Sequence, residues 1–328
     1  MKKILSAALA IVLAALMCVS LAACNGNNTS NDGKYVIGIC QITEHPALDA
    51  ATQGFKDALI EALGAENVEF DYQSAQNETT LCPTIINTFV NKNVDLILAN
   101  ATPALTAAYN TTNTIPILGT SITEYGTALG LKNFNGTVGG NVSGTSDLAP
   151  LDQQAEMIKF IFPEAEKVAL LYCSAENNSK YQVKKVAEHL ADIGVETKEF
   201  AFADTTDVTS VSAAAAAYAD VIYVPTDNTV ADNADVIYNS VGKTPIIAGE
   251  EGICSVCGVA TLSISYYDLG VATGKMAAKI LKGEAKISEM PIEYAANFTK
   301  KYNPIICAEL GIDTAALEAA GYVAISGK

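Results

Sequence analysis

Short apolar runs rich in β-branched residues alternate with longer segments of helical spacing along most of this chain of 328 residues. Each run is long enough for one buried strand, and the apolar residues between the runs recur as they do on one face of a helix. Strands that alternate with helices predict a parallel sheet with both faces covered by helices. The predicted strands of the first half are YVIGICQI, VEFDYQSA, VDLILANAT and IPILGTS.

The same order of segments returns in the second half of the chain. Its predicted strands are KVALLYCS, GVETKEFAF, ADVIYVPTD and TPIIAGE, and VDLILANATP in the first half parallels ADVIYVPTDN in the second. The period is far longer than the roughly 20–50 residues of repeat arrays. We therefore interpret the pattern as two α/β lobes of similar topology.

The segments between and after the two halves predict that the chain passes between the lobes more than once. NFNGTVGGNVSGTSDL, rich in glycine and hydroxyls, separates the halves, while VATLSISYYDLG and a helix from Asp268 to Leu281 exceed what a simple duplication requires. We expect two doubly wound parallel-sheet lobes joined by a multi-crossing hinge. Residues 35–145 and 258–290 would form the first lobe, and residues 146–257 and 291–328 the second.

The first 34 residues have the features of an export signal and a tether. Two lysines precede an apolar run from Ile4 to Ala23 that ends in small residues, as in a secretory signal that is removed. LAAC resembles the lipobox of bacterial lipoproteins, which implies lipidation of Cys24 and a signal spanning residues 1–24. Residues 25–34 then form a flexible tether. An ordinary signal peptide or a single membrane anchor is the alternative.

The charge balance limits the classes of partner. The formal net charge is −16, and the chain contains no arginine. Binding to nucleic acid requires a basic face, so we expect no nucleic-acid partner. Without a guanidinium fork, a ligand carboxylate has to be bound by other donors.

Six cysteines follow the lipobox. Cys40, Cys173 and Cys307 fall in apolar strand-like runs, where cysteine is usually a small buried hydrophobe. CSVC, residues 254–257, has the spacing of a redox pair or half of a metal site, but the chain has no second CxxC and only two histidines. We interpret CSVC as a local disulfide or two plain loop thiols, and we expect no metal.

Polar residues follow the predicted strands of both halves. In open parallel sheets, ligands bind beyond the carboxyl ends of the strands, so these residues predict a ligand cleft between the two lobes. The candidates are Glu44, His45, Thr102, Thr120 and Ser121 in the first lobe and Glu176, Asn177, Asn178, Thr226, Asp227, Asn228 and Glu250 in the second.

The chemistry of these candidates suits a zwitterion. Proline follows both His45 and Thr102, which predicts that these two residues cap helices whose N–H groups point into the cleft. Such amides and hydroxyls can bind a carboxylate. Asp227 and Glu44 are the expected acceptors for an ammonium group. An ordinary N-cap is the alternative role for each position.

Catalytic and cofactor motifs are missing from the sequence. VGKTP lacks the first glycine of a phosphate-binding loop, and GTVGG lacks the strand-then-helix setting of a dinucleotide fingerprint. Neither a GxSxG elbow nor an HExxH motif occurs. We therefore expect neither an enzyme nor a bound cofactor.

Several separated motifs together resemble the ABC-transporter substrate-binding lipoproteins of the TrpX-like type. These are EHPALDAATQGFKDAL, ANATPALTAAYN, SDLAP, YVPTDNTVA, AGEEG and SYYDLGVATGKMAAKILKGE. The resemblance covers nearly all of the chain after the tether. It implies a type I periplasmic-binding-protein fold, a cleft that closes on its ligand, and delivery to a membrane permease and an ATPase. Similar proteins are associated with aromatic amino acids, chiefly tryptophan and tyrosine.

The resemblance adds two residues to the candidate site and supports others. SDL places Ser146 and Asp147 at the cleft, while EHPALD, ATP, YCSAENNS and PTDN select residues that the strand ends already predict. Aromatic side chains near the inferred loops are candidates for stacking on a ligand, with core packing as the alternative. They are Tyr109, Tyr125, Tyr181 and Tyr266.

The sequence as a whole predicts a monomeric, extracytoplasmic solute-binding protein, lipid-anchored to the bacterial cell membrane through Cys24. It would capture a small zwitterion, most favourably an aromatic amino acid, by hinge closure and deliver it to an ABC importer. One alternative is a surface lipoprotein that senses a ligand and signals through a partner, and another is import of a different small solute. A third, from the enzyme class, would use CSVC as an extracytoplasmic thiol pair.

Overall fold

The computed structural model describes residues 33–325. The signal segment, Cys24 and all of the tether except Gly33 and Lys34 lie outside these residues. No helix within residues 33–325 is long and apolar enough to cross a membrane.

Strands and helices alternate as the sequence predicts. The strands are β1 (Tyr35–Gln41), β2 (Val68–Ser74), β3 (Leu96–Asn100), β4 (Ile117–Ile122), β5 (Val142–Ser146), β6 (Lys167–Cys173), β7 (Glu196–Phe202), β8 (Val221–Val224), β9 (Ile246–Ala248), β10 (Ala260–Ser263), β11 (Glu293–Tyr294), β12 (Thr299–Tyr302) and β13 (Val323–Ala324).

The helices cover both faces of the sheets. They are α1 (Pro46–Leu63), α2 (Cys82–Lys92), α3 (Thr102–Thr111), α4 (Tyr125–Leu129), α5 (Leu151–Ile161), α6 (Asn177–Asp192), α7 (Val208–Tyr218), α8 (Asn228–Asp232), α9 (Ala234–Val241), α10 (Glu251–Cys257), α11 (Tyr266–Leu281), α12 (Pro304–Leu310) and α13 (Thr314–Ala319). Short 3₁₀ turns occupy Ala65–Asn67, Thr79–Leu81 and Ile287–Glu289.

The first lobe is built on a six-stranded sheet of order β11-β5-β4-β3-β1-β2, in which every neighbouring pair is parallel. Its central strand β3, LILAN, is buried throughout because helices cover both faces of the sheet. The register pairs Ile37 of β1 with Leu96 of β3 and Phe70 of β2. This parallel arrangement brings the carboxyl ends of β1, β3 and β4 to one edge.

The second lobe is built on a seven-stranded sheet of order β13-β12-β10-β9-β8-β6-β7. Its five strands from β6 to β10 are parallel to their neighbours, whereas β12 runs antiparallel to β10. Two doubly wound α/β lobes confirm the predicted fold class. The antiparallel β12 belongs to the chain's last segment, which the sequence pattern assigned to this lobe.

The chain crosses between the lobes three times, after β5, after β10 and after β11. Two boundaries differ from those expected. Residues 260–263 belong to the second lobe because they pair with β9, so the return to the first lobe begins only near α11. Glu293–Tyr294 belongs to the first lobe because it pairs with β5. Three crossing segments form the hinge.

Helix α11 packs closely on α1 and so covers the first lobe. Three glycines line their contact: Gly54 of α1 and Gly270 and Gly274 of α11. A Cβ atom at Gly270 would overlap the backbone carbonyl of Ala51. We define these three glycines as the glycine seam. The seam fixes the distance between two helices whose N-termini both face the second lobe.

Candidate ligand-binding site

A cavity lies between the two lobes, where the carboxyl ends of parallel strands from both sheets meet. The cavity volume is ≈ 10 Å³, far below the roughly 300–1,000 Å³ of small-molecule sites, so an amino acid can enter only after the lobes or the lining side chains move. Both lobes and the first crossing segment contribute residues. The lining consists of His45, Leu48, Ser121, Thr123, Asp147, Asn178, Thr226, Asp227, Asn228, Ala231, Glu250 and Tyr266.

Four buried polar atoms on this lining have no hydrogen-bond partner within residues 33–325. They are His45 Nδ1, Ser121 Oγ, Asp147 Oδ1 and Asn178 Oδ1. We refer to them as the four unbonded atoms. Buried polar groups in folded proteins are nearly always hydrogen-bonded, so each exception requires an explanation. Their convergence on one cavity indicates that a polar ligand supplies the partners.

Asp147 provides the anionic group among these atoms. It follows β5 in the first crossing segment, and its Oδ2 accepts a hydrogen bond of 3.0 Å from the Tyr266 hydroxyl. Burial raises the pKa of Asp147 to about 6, and the hydrogen bond from Tyr266 opposes that rise. The carboxylate is therefore ionised at neutral pH while Oδ1 remains free to accept a hydrogen bond from a ligand.

Ser121 contributes a hydroxyl group from the end of β4. Its φ of +56° lies in the left-handed region, which is costly for a residue with a Cβ atom. The pairing of β4 with β5 also shifts register between Gly119 and Ile122. Such a strained and irregular strand end is common where a side chain is directed to a ligand.

His45 immediately precedes α1 and connects the two lobes. Its backbone is extended, and its side chain makes no capping hydrogen bond to the helix, which begins with Pro46. Across the cleft, its Nε2 lies 3.4 Å from Asn228 Oδ1 of the second lobe. The ring can therefore present its other nitrogen to a ligand.

The acidic residues of the second lobe have a different environment, because their carboxylate oxygens accept hydrogen bonds from N–H groups at helix N-termini. Glu176 Oε1 accepts hydrogen bonds from the backbone N–H and hydroxyl of Thr229, both at 2.8 Å. Its Oε2 accepts from the backbone and side chain of Asn228 and from the side chain of Asn178. Glu176 therefore anchors the start of α8.

Asp227 and Glu250 are likewise helix caps. Asp227 Oδ1 accepts from Val230 N at 2.9 Å, and its Oδ2 accepts from Cys173 N and the Ser179 hydroxyl at 2.8 and 2.7 Å. Burial, with the neighbouring Glu176 carboxylate, raises the pKa of Asp227 well above its usual range. Both carboxylate oxygens of Glu250 accept backbone N–H groups at the start of α10.

Of the predicted site residues, eight line the cavity: His45, Ser121, Asp147, Asn178, Thr226, Asp227, Asn228 and Glu250. The other six lie outside it: Glu44, Thr102, Thr120, Ser146, Glu176 and Asn177.

Each of those six has an environment that explains its position. Glu44 is exposed and contacts the Tyr72 hydroxyl. The Thr120 and Ser146 hydroxyls make buried hydrogen bonds within the first lobe. Thr102, the first residue of α3 rather than its cap, lines a neighbouring groove between the lobes together with Glu176 and Asn177.

Neither of the two residues expected to accept a ligand ammonium group therefore presents a free carboxylate oxygen to the cavity. Glu44 lies outside the cavity, and both oxygens of Asp227 already accept hydrogen bonds from its own lobe. Asp147, which only the family resemblance selected, has the free oxygen. The strand-end rule missed it because it follows a glycine- and hydroxyl-rich segment that lacks an apolar strand pattern.

Three lining residues were not predicted at all: Leu48, Thr123 and Ala231. Of the four tyrosine candidates, Tyr266 lines the cavity. Tyr125 is fully buried in the first lobe, where its hydroxyl donates to the Thr145 carbonyl. Tyr109 is exposed, and Tyr181 packs against the core of the second lobe.

CSVC is part of α10 rather than a loop. Within the described range, Cys254 and Cys257 are both free thiols and both buried. The Cys254 thiol donates to the Gly258 carbonyl and that of Cys257 to the Ile253 carbonyl. Burial raises the pKa of both thiols, which disfavours a reactive thiolate. The predicted disulfide between Cys254 and Cys257 is therefore wrong for this structure. The alternative of two plain thiols agrees with it, although the thiols lie in a helix and not in the predicted loop.

Residues 36–319 match the family described as ABC transporter substrate binding protein. A curated relative, the tyrosine-binding protein of Clostridioides difficile (strain R20291), is 36% identical over 302 residues, which cover 89% of this chain and 87% of the relative.

The chain is also similar to solved protein structures. A Streptococcus pneumoniae ABC domain in complex with L-Trp is 32% identical with a TM-score of 0.84, and the match covers 88% of this chain and 99% of that one. The ligand-free, open structure of a Clostridium difficile substrate binding protein is 35% identical, yet its TM-score is 0.69, with 90% and 100% covered. The lobe arrangement therefore resembles the L-Trp complex more than the open structure.

Proposed function

Because the chain belongs to the family of ABC transporter substrate binding proteins, we propose that its interlobe cavity binds a single aromatic amino acid. Two relatives support this ligand class, one named for tyrosine and one solved with L-Trp. The observation that carries the proposal is Asp147 Oδ1, which is buried and has no partner among the residues described. A buried carboxylate of this kind is complementary to an ammonium group.

The amine and the carboxylate of the ligand would have separate partners. Asp147 Oδ1 and Asn178 Oδ1 accept hydrogen bonds and would bind the ammonium group. The Ser121 hydroxyl can donate a hydrogen bond and would bind the carboxylate, whereas His45, whose Nε2 faces the acceptor Asn228 Oδ1, presents Nδ1 as a further acceptor. This division needs no arginine, and the chain contains none.

The remaining lining would contact the ligand's side chain. Leu48, Ala231 and Tyr266 offer apolar or aromatic surface to the cavity. Since both lobes contribute groups, ligand contacts would be complete only in the closed form, which couples binding to hinge closure.

The physiological role would be capture outside the cytoplasm and delivery to an ABC permease and its ATPase. Family membership and the export-type sequence before residue 25 support this role. Lipidation of Cys24 would hold the protein at the cell membrane.

Calorimetric titration of ligand-free protein with tryptophan, tyrosine and phenylalanine tests the ligand. Leucine, a nucleoside and a sugar serve as controls. The chain contains no tryptophan, so the emission of bound tryptophan gives an independent signal over a tyrosine background. We expect binding of at least one aromatic amino acid and none of the controls. Binding of a control alone would contradict the assignment.

Asp147→Asn tests the proposed ammonium contact. The variant keeps the shape of the side chain but removes its charge, so we expect affinity to fall by about 10- to 100-fold, as for loss of a charged hydrogen bond. Asp152→Asn is the matched control because Asp152 is an exposed acid on α5, outside the cavity. Equal affinity in both variants would remove Asp147 from the site.

A further inference from the structure

A direct hydrogen bond joins the lobes outside the cavity. The Thr43 hydroxyl, which follows β1, donates to Asp232 Oδ2 at the end of α8, with a distance of 2.9 Å. Thr43 is buried, whereas Asp232 lies at the exposed edge of the cleft. Neither residue lines the cavity, so this contact depends on the closed arrangement rather than on the ligand.

The first-lobe half of this contact is held in place by a buried polar network. Gln41 Nε2 donates to the Thr43 carbonyl and to Asp49 Oδ1, both at 2.7 Å. Thr52 donates to Gln41 Oε1 at 2.6 Å, and Asn100 donates to Thr52. The backbone of Thr43 is thereby fixed to β1, β3 and α1 before its hydroxyl meets the other lobe.

The second-lobe half is fixed as firmly. Asp232 ends α8, a helix of five residues whose N-terminus is bound by both Asp227 and Glu176. Asn228, which lines the cavity and lies 3.4 Å from His45, begins the same helix. One short, doubly capped helix therefore presents a ligand-facing residue at one end and the contact to Thr43 at the other.

We propose that the hydrogen bond between Thr43 and Asp232 is a closure latch that stabilises the closed form and thereby increases ligand affinity without contacting the ligand. Groups that are positioned in advance lose little entropy when they meet, so even an edge hydrogen bond can shift a two-state equilibrium. A net contribution of about 0.5–1 kcal/mol corresponds to a two- to fivefold change in the closed population. The hydrogen bond between Thr43 and Asp232 would stabilise the closed form whichever ligand the cavity binds. Its effect on ligand affinity rests on the proposed function.

Single-molecule energy transfer on the ligand-free protein tests the latch. Dyes are placed on cysteines introduced at two exposed positions, Glu69→Cys in the first lobe and Lys184→Cys in the second. Native cysteines within the described residues are buried and would not compete for the dyes. We expect Thr43→Val to shorten the lifetime of closed excursions by about two- to fivefold.

Two further variants make the test specific. Thr88→Val is the matched control because its hydroxyl bonds only to the Thr84 carbonyl of its own helix within the described structure. Asp232→Ala should match Thr43→Val, and the double variant should add nothing to either single change, as required of two partners in one contact.

Unchanged closed lifetimes in Thr43→Val, or a wild-type protein that never closes without ligand, would overturn the latch. An additive double variant would also overturn it. These results do not depend on which ligand binds, so failure of the amino-acid titration would contradict the proposed function and leave the latch standing. When a ligand is known, Thr43→Val should weaken its binding by the same two- to fivefold factor, through faster dissociation.

Discussion

The two sides of the cleft use polar residues in different ways. On the first lobe and the first crossing segment, His45, Ser121 and Asp147 each present an atom that has no partner in residues 33–325. On the second lobe, Asn178 Oδ1 is the one unbonded atom of the cavity lining within the described residues, and the carboxylates of Asp227 and Glu250 instead accept hydrogen bonds from backbone N–H groups and a hydroxyl. Some polar residues at strand ends thus have atoms that are free to bind a ligand, whereas others stabilise the lobe through hydrogen bonds to its helices.

The way each helix begins explains this division. Helices leave their first N–H groups unsatisfied, and short helices depend on side chains to bind them. In the second lobe, α8 and α10 have five and seven residues and are capped by Asp227 and Glu250. In the first lobe, α1 has 18 residues and begins with Pro46, and the His45 side chain makes no capping hydrogen bond to it. That side chain is therefore free for the cavity.

Asp227→Ala should give the largest effect on stability. The change leaves the N–H groups of Val230 and Cys173 and the Ser179 hydroxyl without their acceptor. We expect the free energy of unfolding to fall by about 3 kcal/mol, from loss of a cap and of two further buried hydrogen bonds.

Chemical denaturation measures that loss, with Asp235→Ala as the control because Asp235 is exposed on α9. The folded fraction should lose less affinity than Asp147→Asn does. Normal stability with tenfold weaker binding would instead make Asp227 a ligand acceptor and would remove the contrast between the two sides of the cleft.

The pH dependence of binding should identify Asp147 as the ligand-facing acid. Since its pKa is raised to about 6, the carboxylate is mostly ionised at pH 7 and mostly protonated at pH 5. The dissociation constant for an ammonium ligand should rise by about tenfold between these values, because each pH unit below the pKa reduces the ionised fraction about tenfold. Calorimetric titration at several pH values measures this change in the dissociation constant.

The same group has a defined effect on stability. Its folded pKa lies above that of the unfolded chain, so the folded state binds the proton more tightly. The resulting stability is present below the unfolded pKa of about 4 and is lost as pH rises to about 6. Asp147→Asn should abolish both pH dependences, and a pH dependence of binding that survives in this variant would implicate another acid.

Substitution of two serines on opposite sides of the cleft should have smaller effects, one on ligand affinity and the other on stability. Ser121→Ala removes a hydroxyl with no partner elsewhere in the described chain, so we expect affinity to fall about three- to tenfold without loss of stability. Ser179→Ala removes a hydroxyl that donates to Asp227 at 2.7 Å, so we expect lower stability by about 1 kcal/mol and nearly unchanged affinity. Calorimetry and thermal unfolding of both variants test this reversal.

Most of the fold was predictable because it depends on local patterns. The runs that form β1, β3, β4, β6, β8 and β9 are apolar enough to identify strands from sequence, and the more polar β2 and β7 continue the alternation of strands and helices. Val142–Ser146 was missed because VSGTS contains glycine and hydroxyls, and it is buried only through pairing with β4. The strands Glu293–Tyr294 and Val323–Ala324 have two residues each and depend on distant partners.

The site was less predictable because bonding partners decide which polar residue is free. In the sequence, Asp227 and Asp147 are both acids near the end of a strand. Only the tertiary structure shows that Asp227 bonds to Cys173 and Ser179, far away in the chain, whereas one oxygen of Asp147 has no such partner among the described residues. The contact between Thr43 and Asp232 spans 189 positions and has no local signature.

The glycine seam between α1 and α11 has a consequence for how proteins of this type diverge. His45 precedes α1 and Tyr266 begins α11, so both cavity residues are attached to one pair of closely packed helices. A single methyl group gained at Gly270 would overlap the Ala51 carbonyl and force the helices apart. The cavity would then change shape although none of its residues had been replaced. Selection for a new nutrient can therefore act on the helix contact as well as on the residues that touch the ligand.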